Sequence, residues 1–247
     1  MDTHSHLDTY RTLALCGNVG ALSGRGEARA HLTRSINRTV VSRMGLGPSD
    51  RVVDVGCGDG SLLVEIAPSV ASAMGVAPTD EEVALLRRSH ASIRFERGLV
   101  EAMPFEDGCA SRVICNGVLL LLPDAAAVRT ALRELARITT RDGLVWVGEI
   151  PTIDELAQRR EASRSRTSLL RHHFQAGGPR EAFYVARQMA KDIIAGRPHR
   201  QETARVFSMD PRSFCDLAAS AGLHLVERFP HGETRVDYLF SRRDARV

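Results

Sequence analysis

The chain has 247 residues, 43% of them hydrophobic and 26% charged, with a formal net charge of +3; at roughly 150 residues per domain, that is one large domain with an embellishment. Such a composition excludes a disordered, collagen-like or disulfide-stapled chain. The longest apolar run, Val118 to Leu122, is far shorter than the roughly 18 residues a spanning helix needs, and the opening MDTHSHLD carries acids where a secretory leader is basic. Five cysteines, Cys16, Cys57, Cys109, Cys115 and Cys215, are widely spaced and form no C-x-x-C. That pattern suits reduced thiols, so the expectation is a cytoplasmic protein with no membrane partner and no metal. Residues 151–210 hold 11 Lys+Arg against 7 Asp+Glu, yet Lys191 is the single lysine of the chain. So strong a preference for arginine reflects codon usage more than chemistry. With no aromatic stripe or recognised module beside the charge, no nucleic-acid partner is expected.

Residues 1–48 read as helical. From Glu27 to Met44, mostly apolar positions at Ala28, His31, Leu32, Ile36, Val40 and Val41 recur near the 3.6-residue period, and Gly45, Gly47 and Pro48 end the run. Strands then alternate with helices: strands at Arg51–Val55, Ala73–Val76, Ile93–Arg97, Arg112–Asn116 and Leu144–Ile150, helices at Ser61–Ile66, Asp80–Arg88 and Asp124–Thr139. This rhythm predicts a parallel sheet covered on both faces. After Pro151, about sixty polar, helix-compatible residues show no clear strand. A helix over Asp210–Ala221 follows, and then strands His224–Phe229 and Arg235–Ser241 around the turn Pro230-His231-Gly232-Glu233. So short a turn cannot hold a parallel crossover, so these two strands are expected to be antiparallel neighbours. The predicted fold class is α/β, a seven-stranded mixed sheet with its last strand antiparallel.

The chemistry-bearing segment is Val52-Val53-Asp54-Val55-Gly56-Cys57-Gly58-Asp59-Gly60, a buried strand that runs through D-x-G-x-G-x-G into a helix. Its glycines let the main chain turn sharply and approach a ligand, and the helix behind presents free N–H groups. An open α/β sheet binds ligands beyond the carboxyl ends of its strands, where strand order reverses. A dinucleotide fingerprint would need a third glycine where Ser61 stands, and a phosphate loop would need Gly-Lys-Ser/Thr. Neither is present.

This segment resembles the first motif of the class I S-adenosylmethionine-dependent methyltransferases of the small-molecule type, and the resemblance runs in order over roughly residues 50–150. Gly98-Leu99-Val100-Glu101-Ala102-Met103-Pro104-Phe105 is similar to the family's segment after the third strand, and Asn116-Gly117-Val118-Leu119 to the end of its fourth. Arg133 to Ile138 with Asp142-Gly143 is similar to the helix and turn that introduce the fifth. The resemblance implies a Rossmann-like core and S-adenosyl-L-methionine as cofactor. Asp54 and the loop of Gly56, Cys57, Gly58 and Gly60 would hold its methionine end, Leu99 and Val100 would flank adenine, and Asn116 would lie near the sulfonium. It divides the chain into an N-terminal helical cap (1–48), a cofactor-binding core (49–150), a helical lid or substrate insertion (151–209) and the C-terminal part of the sheet (210–247).

Three positions depart from the family's pattern. The acid that grips the ribose hydroxyls at the end of the second strand is Ala77, the acid after Gly98 is Leu99, and the Phe-Asp before the fourth strand is Ala110-Ser111. If a hydrogen bond to a charged group is worth about 1.5 to 3 kcal/mol, losing two without replacement weakens cofactor binding by roughly two to four powers of ten. Thr79 or Asp80 could serve the ribose and Glu101 the adenine. Thr79-Asp80-Glu81-Glu82 is, however, also a capping box, with Thr79 as N-cap and Glu82 at the third helical position.

For methyl transfer to a hydroxyl, a base is needed as well as in-line positioning. Glu149, at the end of the apolar fifth strand, is either such a base or a carboxylate paired with an arginine. His172 and His173 lie in the inserted stretch where the family carries its substrate lid, and at most one of two adjacent helical residues can face a pocket. Tyr10, His31 and Tyr238 are alternatives better explained by packing, and His4 with His6 lacks a third metal ligand. The expected function is O-methylation of a small molecule such as a natural product or sugar. Its partner would be a small-molecule acceptor, with homodimerisation left open. The competing expectations are a cyclase- or isomerase-like enzyme that keeps the fold without methyl transfer, and a non-catalytic partner subunit.

Overall fold

Burial on both faces of β1 (Arg51–Val55) sets the architecture: Val52 joins one apolar cluster, and Val53 and Val55 join another on the opposite face. The computed structural model of the protein describes residues 4–25, 30–152, 186–187, 207–231 and 234–242. The described chain runs α1 (His4–Leu15), a 3-10 turn (Val19–Ser23), α2 (Ala30–Met44), β1, α3 (Ser61–Ile66), β2 (Ser72–Ala77), α4 (Asp80–Ser89), β3 (Arg94–Arg97) and β4 (Ala110–Asn116). It continues through α5 (Ala125–Ile138), β5 (Thr139–Pro151), α6 (Pro211–Ser220), β6 (His224–His231) and β7 (Arg235–Ser241).

The seven strands form one sheet in the order β3-β2-β1-β4-β5-β7-β6. β1 pairs in parallel with both β2 and β4, while β7 runs antiparallel to both β5 and β6. The reversed strand therefore lies inside β6, one place in from the edge. β6 extends further than the sequence suggests: Pro230 and His231, expected in the turn, pair with Val236 and Arg235. β5 also starts earlier, at Thr139, where the predicted helix already ends; Thr139 Oγ1 donates to the Leu135 carbonyl instead of continuing the turn.

Helices are placed by their caps as well as their apolar faces. Asp124 caps α5 by accepting from the amides of Ala126 and Ala127, and Asp210 caps α6 through those of Arg212 and Ser213. α5 lays Val128, Ala131, Leu132 and Leu135 on one face of the sheet, where Phe214 of α6 meets Tyr238 with ring centroids 4.8 Å apart. On the other face, Leu22, Val40, Met44, Leu62, Leu63 and Leu86 pack against Val52, Ile114 and Trp146, so the N-terminal helices form a layer over β1. That layer covers the carboxyl end of the strand around which the strand order reverses.

Phe214 is fully buried against two aromatic residues of β7 and lies on the face opposite the N-terminal layer. Phe214→Ala is expected to cost about 3–5 kcal/mol of stability. Urea unfolding measures this, and an unchanged midpoint would show that α6 is not part of the core.

Candidate functional site

Between β1 and α3 the chain makes three left-handed turns, at Gly56 (φ 72°), Gly58 (φ 54°) and Gly60 (φ 75°). Side chains are excluded there for different reasons. A Cβ on Gly56 would collide with Val118 Cγ2, while one on Gly58 would lie 3.2 Å from Ser23 Cα and 3.3 Å from the Leu22 carbonyl. The loop is thus in close contact with the 3-10 turn of the N-terminal cap, which Asn18 starts by accepting from the Ala21 amide. Asn37 of α2 donates to Ser61 Oγ at 3.2 Å, tying the cap to the start of α3.

Between cap and sheet is a cavity of about 250 Å³. The glycine loop forms its floor and α1 and α2 its roof; its walls come from the end of β2 with the start of α4, from residues 98–101, and from residues 116–118 with 121–122. Asp54, Gly56, Cys57, Gly58, Ala77, Leu99, Val100 and Asn116 all line it. Sequence reasoning thus brought together side chains that the fold does gather in one place; Gly60 sits just behind, at the N-cap of α3.

The cavity holds charge that is poorly solvated. Asp54 is fully buried, and desolvation, helped by the nearby Asp59 carboxylate, pushes its pKa up to about 7. Glu82 of α4, 4% exposed, is also pushed up to about 7 by burial. Its backbone amide donates to Thr79 Oγ1 at 3.3 Å, so the N-cap is present. The carboxylate does not complete the box fully: Glu82 Oε1 is buried and has no hydrogen-bond partner. Three buried side-chain polar atoms among the described residues are orphaned in this way, and two of them, Glu82 Oε1 and Thr33 Oγ1, belong to residues lining the cavity. Between the two carboxylates, burial raises the Cys57 thiol well above its ordinary value, which suits a small space-filling side chain and not a nucleophile.

Glu149 stands at a bulge. The β5–β7 register shifts between Val147 and Ile150, and Glu149 takes φ 61°, unusual for a residue with a side chain. Its amide donates to Asp237 Oδ1 at 2.6 Å, and Asp237 Oδ2 lies 2.8 Å from His231 Nδ1. The carboxylate is 6% exposed. Its Oε1 receives the Arg25 guanidinium and, at 2.9 Å, Asn116 Nδ2, while Oε2 receives Arg235 at 2.8 Å. Of the two alternatives for Glu149, the structure displays the arginine-paired one. Asn116 is held from its other end by Trp146, whose indole N–H donates to Asn116 Oδ1 at 3.2 Å.

His172 and His173 lie outside the described residues, as does nearly all of the 151–209 stretch. His6 and Tyr10 of α1 line the cavity. Tyr238 is buried beneath Phe214, away from the cavity. Sequence reasoning missed Arg25, Arg235 and Thr33, because two arginines among 32 carry no distinguishing local signal. For Glu82 a signal existed: it occupies the same buried stripe of α4 as Leu85 and Leu86, where an acid is out of place.

Residues 52–143 match the methyltransferase domain family. Over this segment the chain is similar to methyltransferases. The uncharacterized methyltransferase YcgJ of Bacillus subtilis is 30% identical over 158 residues, 58% of this chain and 58% of that protein. The malonyl-[acyl-carrier protein] O-methyltransferase of Pectobacterium atrosepticum is 24% identical over 170 residues, 67% of this chain and 66% of that protein. Each match covers less than two thirds of the relative's length. The geranyl diphosphate C-methyltransferase of Streptomyces coelicolor, solved with Mg2+, geranyl diphosphate and S-adenosyl-L-homocysteine, has the same fold, with a TM-score of 0.57 and 13% identity over 86% of this chain and 81% of that one. In this chain the glycine loop lies at the carboxyl end of the central strand β1. No described helix is long and apolar enough to cross a membrane.

Two outcomes follow from the charges. An acid whose folded-state pKa is raised is stabilising when protonated and loses that contribution as pH climbs from the unfolded value near 4 to the folded value near 7. Asp54→Asn in the ligand-free protein is therefore expected to gain about 2 kcal/mol relative to the wild type between pH 5 and pH 7.5, measured by denaturant unfolding. A gain independent of pH would contradict this placement of Asp54. At the bulge, both Glu149→Ala and Glu149→Gly lose the arginine pairs, at a cost of about 3 kcal/mol. The glycine variant is expected to be about 1 kcal/mol the more stable, because it relieves the left-handed backbone; equal stabilities would remove the strain argument.

Proposed function

We propose that the protein transfers a methyl group from S-adenosyl-L-methionine to a small molecule, and that the acceptor atom is oxygen. The observation that carries this reading is the cavity at the reversal point of the sheet, floored by the left-handed glycines Gly56 and Gly58 and supplied with buried polar atoms that the protein itself leaves unpartnered. Such atoms are costly to bury without a partner, at about 1–3 kcal/mol each, so they fit a site whose ligand completes them. The residues present suit an amino-acid-tailed nucleoside: a carboxylate at Asp54 for an ammonium group, a bare main-chain loop for close approach, and apolar Val100 and Leu99 for a flat ring. When bound, that cofactor supplies an electrophilic methyl group on a sulfonium.

The chain's own contribution is positioning and exclusion of water. Asn116, clamped between Glu149 and Trp146, offers a fixed amide at the cavity edge. Arg25 lines the cavity while its guanidinium engages Glu149, so the ion pair fastens the N-terminal cap to the sheet over the site. His6 brings to the cavity an imidazole able to accept a proton from an acceptor hydroxyl. With both oxygens of Glu149 already accepting hydrogen bonds, we assign that carboxylate to anchoring the cap. The volume of about 250 Å³ suits a small acceptor better than a polymer. An O-methyltransferase among the relatives supports oxygen as the acceptor atom.

Thermal unfolding with S-adenosyl-L-homocysteine and S-adenosyl-L-methionine tests the reading. At a hundredfold excess over Kd, binding is expected to add about 2.7 kcal/mol of stability and raise Tm by several degrees. Absence of any shift at millimolar ligand would overturn it.

A further inference from the structure

We infer that Glu82, projecting from the first turn of α4, is the residue that holds the ribose hydroxyls of the bound nucleoside, in place of any side chain at the end of β2. The inference rests on the cofactor reading above and adds to it the subsite and the residue.

Three features lead there. The strand order β3-β2-β1 puts the cavity's ligand-facing segments in a row: the glycine loop after β1, Ala77 and Pro78 after β2, and residues 98–101 after β3. A ligand made of an amino acid, a ribose and an adenine in series, with its amino-acid end on the glycine loop, lays its ribose over the end of β2. There the strand presents only the methyl group of Ala77, which accepts no hydrogen bond. The wall beside it supplies Glu82, 4% exposed, with Oε1 buried and unpartnered, and on the opposing helix α2 the orphaned hydroxyl of Thr33. A vicinal diol offers two O–H donors, and an ionised carboxylate offers only acceptors. The match between them explains why an acid occupies a buried stripe position of α4 that helix packing would assign to a leucine.

The surrounding contacts hold Glu82 in place and leave its Oε1 unused: the carboxylate hydrogen-bonds with Thr79, and Oε1 has no partner. Thr79 Oγ1 accepts from the Glu82 amide and so fixes the first turn. Next to it, Glu81 pairs with Arg11 of α1 at 2.7 Å, which ties the cap helix to the same turn. Glu81 faces outward to its arginine while Glu82 faces the cavity, so the two adjacent acids have separate tasks.

Isothermal titration of the full chain with S-adenosyl-L-homocysteine, and with its analogue lacking the 2′- and 3′-hydroxyls, decides the matter. Glu82→Leu keeps the apolar stripe and is expected to unfold at no lower temperature than the wild type, so a loss of binding cannot be ascribed to misfolding. Its affinity for S-adenosyl-L-homocysteine should fall about 10- to 100-fold, with Glu82→Gln between it and the wild type. For the dideoxy analogue, wild type and variants should bind alike. Unchanged affinity of Glu82→Leu for S-adenosyl-L-homocysteine would overturn the inference, and so would an equal loss for both ligands, which would place the carboxylate on the ammonium or the adenine. If the wild type fails to bind S-adenosyl-L-homocysteine at all, the cofactor reading itself falls, and the subsite with it.

Discussion

The site is organised around carboxylates that are kept from water on either side of one glycine loop. Asp54 at the end of β1 and Glu82 in the first turn of α4 are both desolvated enough to be drawn toward neutrality, and both act on the Cys57 thiol between them. Holding them there costs stability, since an ionised group loses its hydration on burial. A cationic or hydroxyl-rich ligand would return that energy on binding. The same arrangement explains the cap: without α1, α2 and the 3-10 turn above the loop, the carboxylates would be hydrated and the cavity would be an open groove.

Closure depends on a second polar centre on the far side of the cavity. Glu149 gathers Arg25 from the cap, Arg235 from β7 and Asn116 from β4, and its backbone is turned left-handed by the bulge that makes this convergence possible. Asp237 secures the bulge through the Glu149 amide and is itself bonded to His231. A buried carboxylate with two guanidinium partners contributes mainly geometry, because much of its Coulombic gain offsets desolvation. What it contributes here is a fixed amide at the cavity edge and a clasp between elements far apart in the chain.

Much of this was legible in the residues. Arg51–Val55, Ser61–Ile66 and Arg235–Ser241 have the bounds that alternation, helical period and turn residues imply. The glycine loop was identifiable because its chemistry is local: three small residues at alternate positions after a buried strand. Glu82 was legible only as half of a capping box, since Thr79 three positions earlier satisfies that pattern whatever the carboxylate does. The role of Glu149 was undecided for the opposite reason: in a chain with 32 arginines, sequence offers no way to say which two arrive.

Sequence alone determined the periodicities, caps and tight turns, hence an α/β sheet with a ligand-binding loop at its first strand, because those features arise between residues a few positions apart. Tertiary structure decided which side chains share a cavity. Arg25 and Glu149 are 124 positions apart, and Arg235 and Glu149 are 86 apart. Contacts over such separations are set by strand order and sheet register, and by the way the cap settles on the sheet. None of these is encoded in the spacing of neighbouring residues, so the unpartnered oxygen of Glu82 and the paired oxygens of Glu149 become visible only when the chain is folded.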